Sequence, residues 1–160
     1  IATFLDPNTD PLGAGYHIIQ SKIAVGSGEL WGKGYLQGTQ NHLNFLPEHH
    51  TDFIFSVFAE EWGFAGGVVL MVLYFALMMR ALVIAQRARD RFGIYLVLGL
   101  MTIVFWQIVV NIGMTTGLMP VVGIPLPFVS YGGSSMLALA IGAGMLLALT
   151  RRNARLELEP

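Results

Sequence analysis

Four polar residues recur at intervals of four where the chain turns from polar to apolar: Glu48, Asp52, Ser56 and Glu60. On one unbroken helix they would share a face, because positions i and i+4 are neighbours on a helix surface. Acids that enter a membrane in this way usually face a cavity or a partner, where they can do chemistry. Alternatively, Pro47 begins a helix whose first turn is stabilised by Glu48 and Asp52 through the helix dipole. The residues alone leave both interpretations open.

A glycine-rich segment precedes this row, with Gly26-Ser27-Gly28 followed by Gly32-Lys33-Gly34. Backbone amides of such a turn, together with an ammonium group, can bind a diphosphate. No strand or Walker-type spacing surrounds the segment, so a plain flexible turn is the commoner meaning of this pattern.

Composition and apolar runs predict the helices that position these residues. Hydrophobic residues make up 54% of the 160 residues and charged residues 12%, about half the charged share of soluble domains. The net charge of −1 gives no basic field for nucleic acid. Three apolar segments, 53–79, 95–116 and 134–150, can each cross a hydrocarbon core of ~30 Å as a helix. We therefore predict an all-α integral membrane protein with three transmembrane helices.

Arginine placement predicts the orientation of these helices. Arg80, Arg87 and Arg91 lie between the first two spans, and Arg151 and Arg152 follow the third. Arginines beside membrane ends mark the cytoplasmic side. The predicted segments are a long extracytoplasmic loop 1–52, a helix 53–79, a cytoplasmic loop 80–94, a helix 95–116, an extracytoplasmic loop 117–133, a helix 134–150 and a cytoplasmic tail 151–160. The chain is interpreted as the C-terminal piece of a longer protein, and by itself it is expected to be inactive.

Two further segments carry structural predictions. Residues 16–25 suit a short amphipathic helix on the membrane surface, with Ile18 and Ile23 on its apolar side and Ser21 on its polar side. Residues 117–133 contain three prolines and are too apolar for a solvated loop. Irregular backbone at membrane depth needs protein or water to satisfy it, which predicts a re-entrant loop beside a cavity on the side of Asp52.

Smaller signals concern contacts between helices. Gly63 and Gly67 are spaced as in small-residue helix contacts, and Gln107 and Asn111 are spaced for hydrogen bonds between helices rather than for substrate contact.

Two motifs resemble the shape, elongation, division and sporulation (SEDS) family. They are Leu46-Pro47-Glu48 with His50-Thr51-Asp52-Phe53, and Pro125-Leu126-Pro127-Phe128 with Ser130-Tyr131-Gly132-Gly133. The glycine segment fits as well, in a form closer to the family's elongation branch than to its division branch. The motifs span most of the chain in the family's order.

The resemblance implies a peptidoglycan glycosyltransferase that polymerises lipid II at the outer face of the bacterial cytoplasmic membrane. It implies a bundle of about ten transmembrane helices, of which this chain supplies the last three, and a class B penicillin-binding protein as partner among other elongation proteins. Asp52 matches the family's catalytic acid. The expected substrate-binding or supporting residues are Glu48, His50, Thr51, Lys33, Ser130 and Tyr131.

The implied reaction has two chemical needs. A sugar hydroxyl attacks an anomeric carbon in a single inverting displacement, so it needs a base, for which Asp52 is the candidate. The departing lipid diphosphate needs positive charge, from Lys33 or from a divalent cation, Mg²⁺ or Mn²⁺. Glu48 and Asp52 are the candidate ligands for such a cation, and no organic cofactor is expected.

Two other classes of function stay open at this point. Irregular membrane segments and intramembrane acids also suit a lipid II transporter, which should depend on polar groups near the midplane such as Gln107 and Asn111. A scaffold for a penicillin-binding protein should tolerate loss of Asp52.

Overall fold

The structure, a computed structural model, describes residues 14–35, 37, 52–88 and 90–158. All regular secondary structure in these residues is helical, as predicted. The elements are α1 (Ala14–Ser27), α2 (Ile54–Arg87), α3 (Arg91–Thr115) and α4 (Gly133–Leu158).

Three of the helices are long and apolar enough to cross a membrane: α2, α3 and, within α4, residues Gly133–Asn153. This confirms the three predicted helices. The helices extend beyond the apolar segments, since α2 continues to Arg87 and α3 begins at Arg91. Apolar residues delimit the part of a helix that suits lipid, whereas backbone hydrogen bonding continues into the arginine-rich ends.

The two arginine-rich segments lie at the same end of the bundle. Arg152 of α4 donates to Asp90, which precedes α3, with 3.4 Å between Nη1 and Oδ2. Beside this pair, Ala85 of α2, Val97 of α3 and Leu149 of α4 pack in one apolar cluster. The two segments therefore lie together at one end of the helices, and the side of the membrane that they face stays a prediction.

The helix α1 packs on the bundle with a mixed face. Ile18, Ser21 and Ala24 are buried, and Ile23 is 48% exposed. The predicted assignment of faces is therefore wrong for Ser21 and Ile23. At about 100° per residue, Ser21 lies only about 60° from Ile18, on the same side of the helix. Ser21 can be buried because its hydroxyl is hydrogen-bonded, as described below.

The helix α2 begins at Ile54, after Asp52, so it does not include all of the polar row. Its N-cap is Phe53, whose side chain makes no capping hydrogen bond, and its first turn contains no acidic residue. Asp52 therefore lies before the helix. One unbroken helix through Asp52 and Ser56 is the wrong prediction. The helix start predicted at Pro47 lies outside the described residues.

A break at Gly63 divides α2 into an outer segment, residues 54–62, and a longer apolar segment. Gly63 has φ 65° and ψ −165° inside the helix. A Cβ at this position would lie 2.3 Å from the backbone nitrogen of Gly32. Gly63 thus permits a chain break and a close backbone approach, and the prediction that Gly63 forms a contact between regular helices is wrong.

The segment between α3 and α4 is irregular, as its prolines predict. Asn111 of α3 donates from Nδ2 to the carbonyl of Ile124 at 2.7 Å, and Tyr74 of α2 donates to the carbonyl of Pro127 at 2.6 Å. Leu126 is 1% exposed in the core with Tyr74 and Ile108. Residues 124–127 thus lie against the helices, where side chains donate to the carbonyls of Ile124 and Pro127.

Replacing Tyr74 with phenylalanine should loosen this segment. The change removes the only polar atom of the side chain and leaves the carbonyl of a buried proline without its 2.6 Å donor. The expected loss in free energy of unfolding is about 1–2 kcal/mol, read as a lower midpoint of thermal unfolding in detergent. Tyr95→Phe is the matched control, because Tyr95 is 69% exposed. Equal midpoints for the two variants would contradict the contact.

Candidate active site

The polar row at the start of α2 is held by three different elements. Ser56 and Glu60 are both 0% exposed, whereas Asp52 is partly exposed. Each of the three residues is held by a different hydrogen-bonding partner. The partners of Ser56 and Glu60 bond to the side chain, whereas the partner of Asp52 bonds to the backbone.

Ser56 is anchored by α1. Its Oγ lies 2.6 Å from Oγ of Ser21, and the Ser21 hydroxyl donates to the carbonyl of Thr115 at 2.7 Å. Because one hydrogen bond connects α1 with α2 and the next reaches the end of α3, this buried chain fixes three helices at one level.

Glu60 is anchored by the glycine turn. Nζ of Lys33 lies 2.7 Å from Oε1 of Glu60, and the backbone N–H of Lys33 donates to the carbonyl of Glu60 at 3.0 Å. The Lys33 side chain is 31% exposed and that of Glu60 is buried. The ammonium therefore compensates a carboxylate that burial alone would destabilise.

Asp52 is anchored through its backbone. Nδ2 of Asn111 donates to the carbonyl of Asp52 at 3.0 Å and also to that of Ile124. The carboxylate lies against Gly123, since a Cβ there would come within 3.1 Å of Oδ2. Asn111 thus joins the start of α2 to the irregular segment, and its predicted structural role agrees with these bonds.

Between the two acids of the row that the structure describes, Asp52 and Glu60, Asp52 is the one left open to a ligand. Within the described residues no hydrogen bond or ion pair reaches the Asp52 carboxylate, whereas the Ser56 and Glu60 side chains are both paired. A partly exposed carboxylate on a fixed backbone, beside a glycine that leaves space, can accept a proton from a bound hydroxyl.

The other predicted site residues are placed as follows. Glu48, His50 and Thr51 lie outside the described residues. Ser130 is buried at 3% exposure and its N–H donates to the carbonyl of Leu126, whereas Tyr131 is 80% exposed. Neither is hydrogen-bonded to Asp52 in the described part of the chain, and Lys33 pairs with Glu60 rather than with Asp52.

The donors around Asp52 do not by themselves make a cation site. Across residues 14–35, 37, 52–88 and 90–158, no three His, Cys, Asp or Glu side chains come together. Mg²⁺ and Mn²⁺ favour several oxygen ligands. The divalent cation and its ligands Glu48 and Asp52 therefore stay predictions, and no reaction step is derived from them.

The pairing of Lys33 with Glu60 is not evident from the sequence. The residues are 27 positions apart, and a glycine-flanked lysine suggests anion binding. The sequence does indicate that Glu60 has a positive partner, because an acid in an apolar helix needs one.

The chain matches a family of known proteins over nearly its whole length. The model of the FtsW/RodA/SpoVE family, described as cell cycle proteins, matches residues 1–155. The chain belongs to this family. The resemblance in its motifs is thereby confirmed, since FtsW/RodA/SpoVE is the SEDS family.

Curated FtsW/RodA/SpoVE proteins from several bacteria are similar to most of the chain. Peptidoglycan glycosyltransferase MrdB of Escherichia coli is 58% identical over 149 residues, which are 93% of this chain and 40% of MrdB. Peptidoglycan glycosyltransferase RodA of Treponema pallidum is 48% identical over 93% of this chain and 34% of its own length. A probable FtsW of Trichlorobacter lovleyi is 47% identical over the whole chain and 41% of its own length.

Two solved structures of the FtsW/RodA/SpoVE type share the fold. One, of a peptidoglycan synthase complex that coordinates polymerization and crosslinking, has a TM-score of 0.70 and 36% identity over 95% of this chain and 40% of that chain. The other, a mutant RodA of Thermus thermophilus, has a TM-score of 0.63 and 40% identity over 78% of this chain and 38% of that chain. The chain thus spans about two fifths of these proteins, and it is part of a multi-pass membrane protein.

Proposed function

We propose that the protein containing this chain is a peptidoglycan glycosyltransferase that polymerises lipid II, with Asp52 as its general base. One observation carries the proposal: among the described residues of the polar row, Asp52, Ser56 and Glu60, only Asp52 keeps a partly exposed carboxylate, while its backbone is fixed by Asn111. The names of the relatives, which are peptidoglycan glycosyltransferases, support the substrate class.

The reaction follows from the position of this carboxylate. Asp52 accepts the proton of the acceptor sugar hydroxyl as the hydroxyl oxygen bonds to the anomeric carbon of the donor. The bond from that carbon to the lipid diphosphate breaks, and the diphosphate leaves with the bonding electrons. Attack and departure on opposite faces invert the anomeric centre. Anchoring through Asn111 keeps the base within reach of the hydroxyl, which lowers the entropy cost of the step.

The setting of the enzyme is proposed on the same basis. Its active site faces the outside of the bacterial inner membrane, and its product serves cell elongation and shape. A class B penicillin-binding protein is the proposed partner, since the structural neighbour belongs to a complex that couples polymerization to crosslinking. Further membrane proteins of the elongation machinery would assemble with both.

The proposal is tested by incubating fluorescent lipid II with the full-length protein and its partner, after the partner's transpeptidase is blocked with a β-lactam. Polymer on a gel is the expected result, and the blocked partner alone is the control that should make none. Movement of labelled lipid II between the leaflets of vesicles, without polymer, would support a transporter instead. Absence of both activities would support a scaffold.

The polar groups near the midplane do not favour transport. Both Nδ2 bonds of Asn111 go to backbone carbonyls. Gln107 lines a cavity of about 300 Å³ among α2, α3 and α4, whose other lining residues are apolar except Arg80 and Ser135. These side chains do not form a polar path across the bundle.

A further inference from the structure

The break in α2 is bridged by the glycine turn, residues 28–34, through backbone hydrogen bonds on both sides. Lys33 and Gly34 donate to the carbonyls of Glu60 and Glu61 at 3.0 and 3.1 Å, before the break. Beyond the break, Phe64 and Ala65 donate to the carbonyls of Glu29 and Leu30 at 2.9 and 3.0 Å. We call these four bonds, with the Lys33–Glu60 ion pair, the glycine latch.

The latch requires glycine where the two backbones meet. A Cβ on Gly28 would lie 2.0 Å from the carbonyl oxygen of Ala59, and one on Gly32 would lie 2.1 Å from that of Glu61. The bonds of Lys33 and Gly34 also occupy amides that a diphosphate would need. The turn is therefore built to hold a helix rather than to bind an anion through its backbone.

The ion pair locks the register of the latch. Lys33 reaches Glu60 twice, once through its N–H and once through its ammonium. If the glycine turn shifted along α2, its backbone hydrogen bonds could form again with other carbonyls. The ion pair forms only when Lys33 lies opposite Glu60, so it selects one register. Neutralising Lys33 removes the ammonium from beside the buried Glu60 carboxylate, which disfavours the observed register.

The latch is connected to Asp52 by a short helical segment. The outer segment of α2, residues 54–62, is about 13 Å long and lies between the latch and Asp52. Asn111 holds the Asp52 end and Ser21 holds the middle. Because Asp52 directly precedes this segment, a rotation or shift that the latch imposes on the segment also moves the carboxylate.

We propose that Lys33 and Glu60 are positioning residues that set the place of the Asp52 carboxylate through the outer segment of α2. The inference rests on the proposed function, in which Asp52 is the base. It replaces the expectation that Lys33 chiefly contacts the diphosphate, and it gives Glu60 a role without contact to substrate.

The first test is a double-mutant cycle in the full-length protein with its partner. Lys33→Met and Glu60→Gln should each lower kcat for lipid II polymerisation about 10- to 100-fold, because displacing a catalytic group by ~1 Å costs up to about 100-fold. The KM for lipid II should stay within about twofold, since uniform substrate binding is not lost. The double variant should be no slower than the slower single variant, because the two residues act as one unit.

Two results of the cycle would overturn the proposal. A raised KM in Lys33→Met, with Glu60→Gln close to wild type, would make Lys33 a substrate ligand. A double variant with wild-type kcat would show that the latch does not position the base. The double variant has no unpaired buried charge, so it remains informative even if a single variant fails to fold.

A second measurement does not depend on catalysis. Cysteine placed by Asp52→Cys is labelled with a water-soluble maleimide, with and without Glu60→Gln, and a severalfold change in labelling rate is expected. An unchanged labelling rate would contradict the proposed coupling between Glu60 and Asp52, even if polymerisation is lost. If instead Asp52→Asn polymerises at the wild-type rate while the labelling rate changes, the proposed function fails and the latch stands as a structural device.

Discussion

Replacing Gly63 with alanine is expected to lower the free energy of unfolding by about 3 kcal/mol or more. The backbone at φ 65° and ψ −165° belongs to a region that only glycine occupies without large strain. The added Cβ would also lie 2.3 Å from the Gly32 nitrogen and 2.8 Å from the Gly28 carbonyl oxygen. Both are backbone atoms of the glycine turn and hydrogen-bond to each other at 2.7 Å, so they cannot move without distorting the turn that forms the latch. The midpoint of thermal unfolding of the full-length protein in detergent measures the effect.

Gly67→Ala is the matched control in the same helix. No heavy atom of the described chain lies within 4 Å of a Cβ at Gly67, apart from its chain neighbours and the helix's own backbone nearby, and its φ is not positive. Alanine is also the better helix former by about 1 kcal/mol. Its unfolding midpoint should equal or exceed that of wild type. Comparable losses for both variants would restore the interpretation of Gly63 and Gly67 as a contact between regular helices.

The helices could be predicted because their signal is local. A run of apolar residues such as 95–116 needs no partner to be recognised as a span, and prolines 120, 125 and 127 interrupt a helix wherever they stand. Only part of the irregular segment is buried as its apolar character suggests, since Leu126 is 1% exposed whereas Leu118 and Val122 stay exposed.

The break in α2 could not be predicted, because its cause lies elsewhere in the chain. Gly63 in an apolar helix has the same local pattern as a helix-contact glycine. What distinguishes it is the backbone of residues 28–34, which reaches it through tertiary structure. Lys33 is similar, since its partner Glu60 lies 27 residues away.

The polar row was only partly predictable. Spacing of four residues correctly puts Ser56 and Glu60 on one buried face. It does not reveal that the helix starts at Ile54, so that Asp52 leaves the row and turns its carboxylate toward Gly123. That departure makes Asp52 available for chemistry, whereas the other two side chains serve as anchors.

Replacing Asp52 with asparagine is expected to lower the rate of lipid II polymerisation by about 100-fold or more. Asparagine keeps the shape of the side chain and the backbone carbonyl that Asn111 holds, but it cannot accept a proton. A positioned general base contributes about 10²- to 10⁴-fold to a rate. Initial rates of polymer formation by the full-length protein with its partner, at saturating lipid II, measure this effect.

Asp90→Asn is the control, since Asp90 is paired with Arg152 at the opposite end of the bundle and should polymerise at the wild-type rate. The two asparagine variants, compared at equal partner binding and equal unfolding midpoint, provide the most direct measurement of what Asp52 does. Polymer is expected to be nearly absent with Asp52→Asn and normal with Asp90→Asn. Polymerisation by Asp52→Asn at the rate of Asp90→Asn would show instead that Asp52 is a structural residue and not the base.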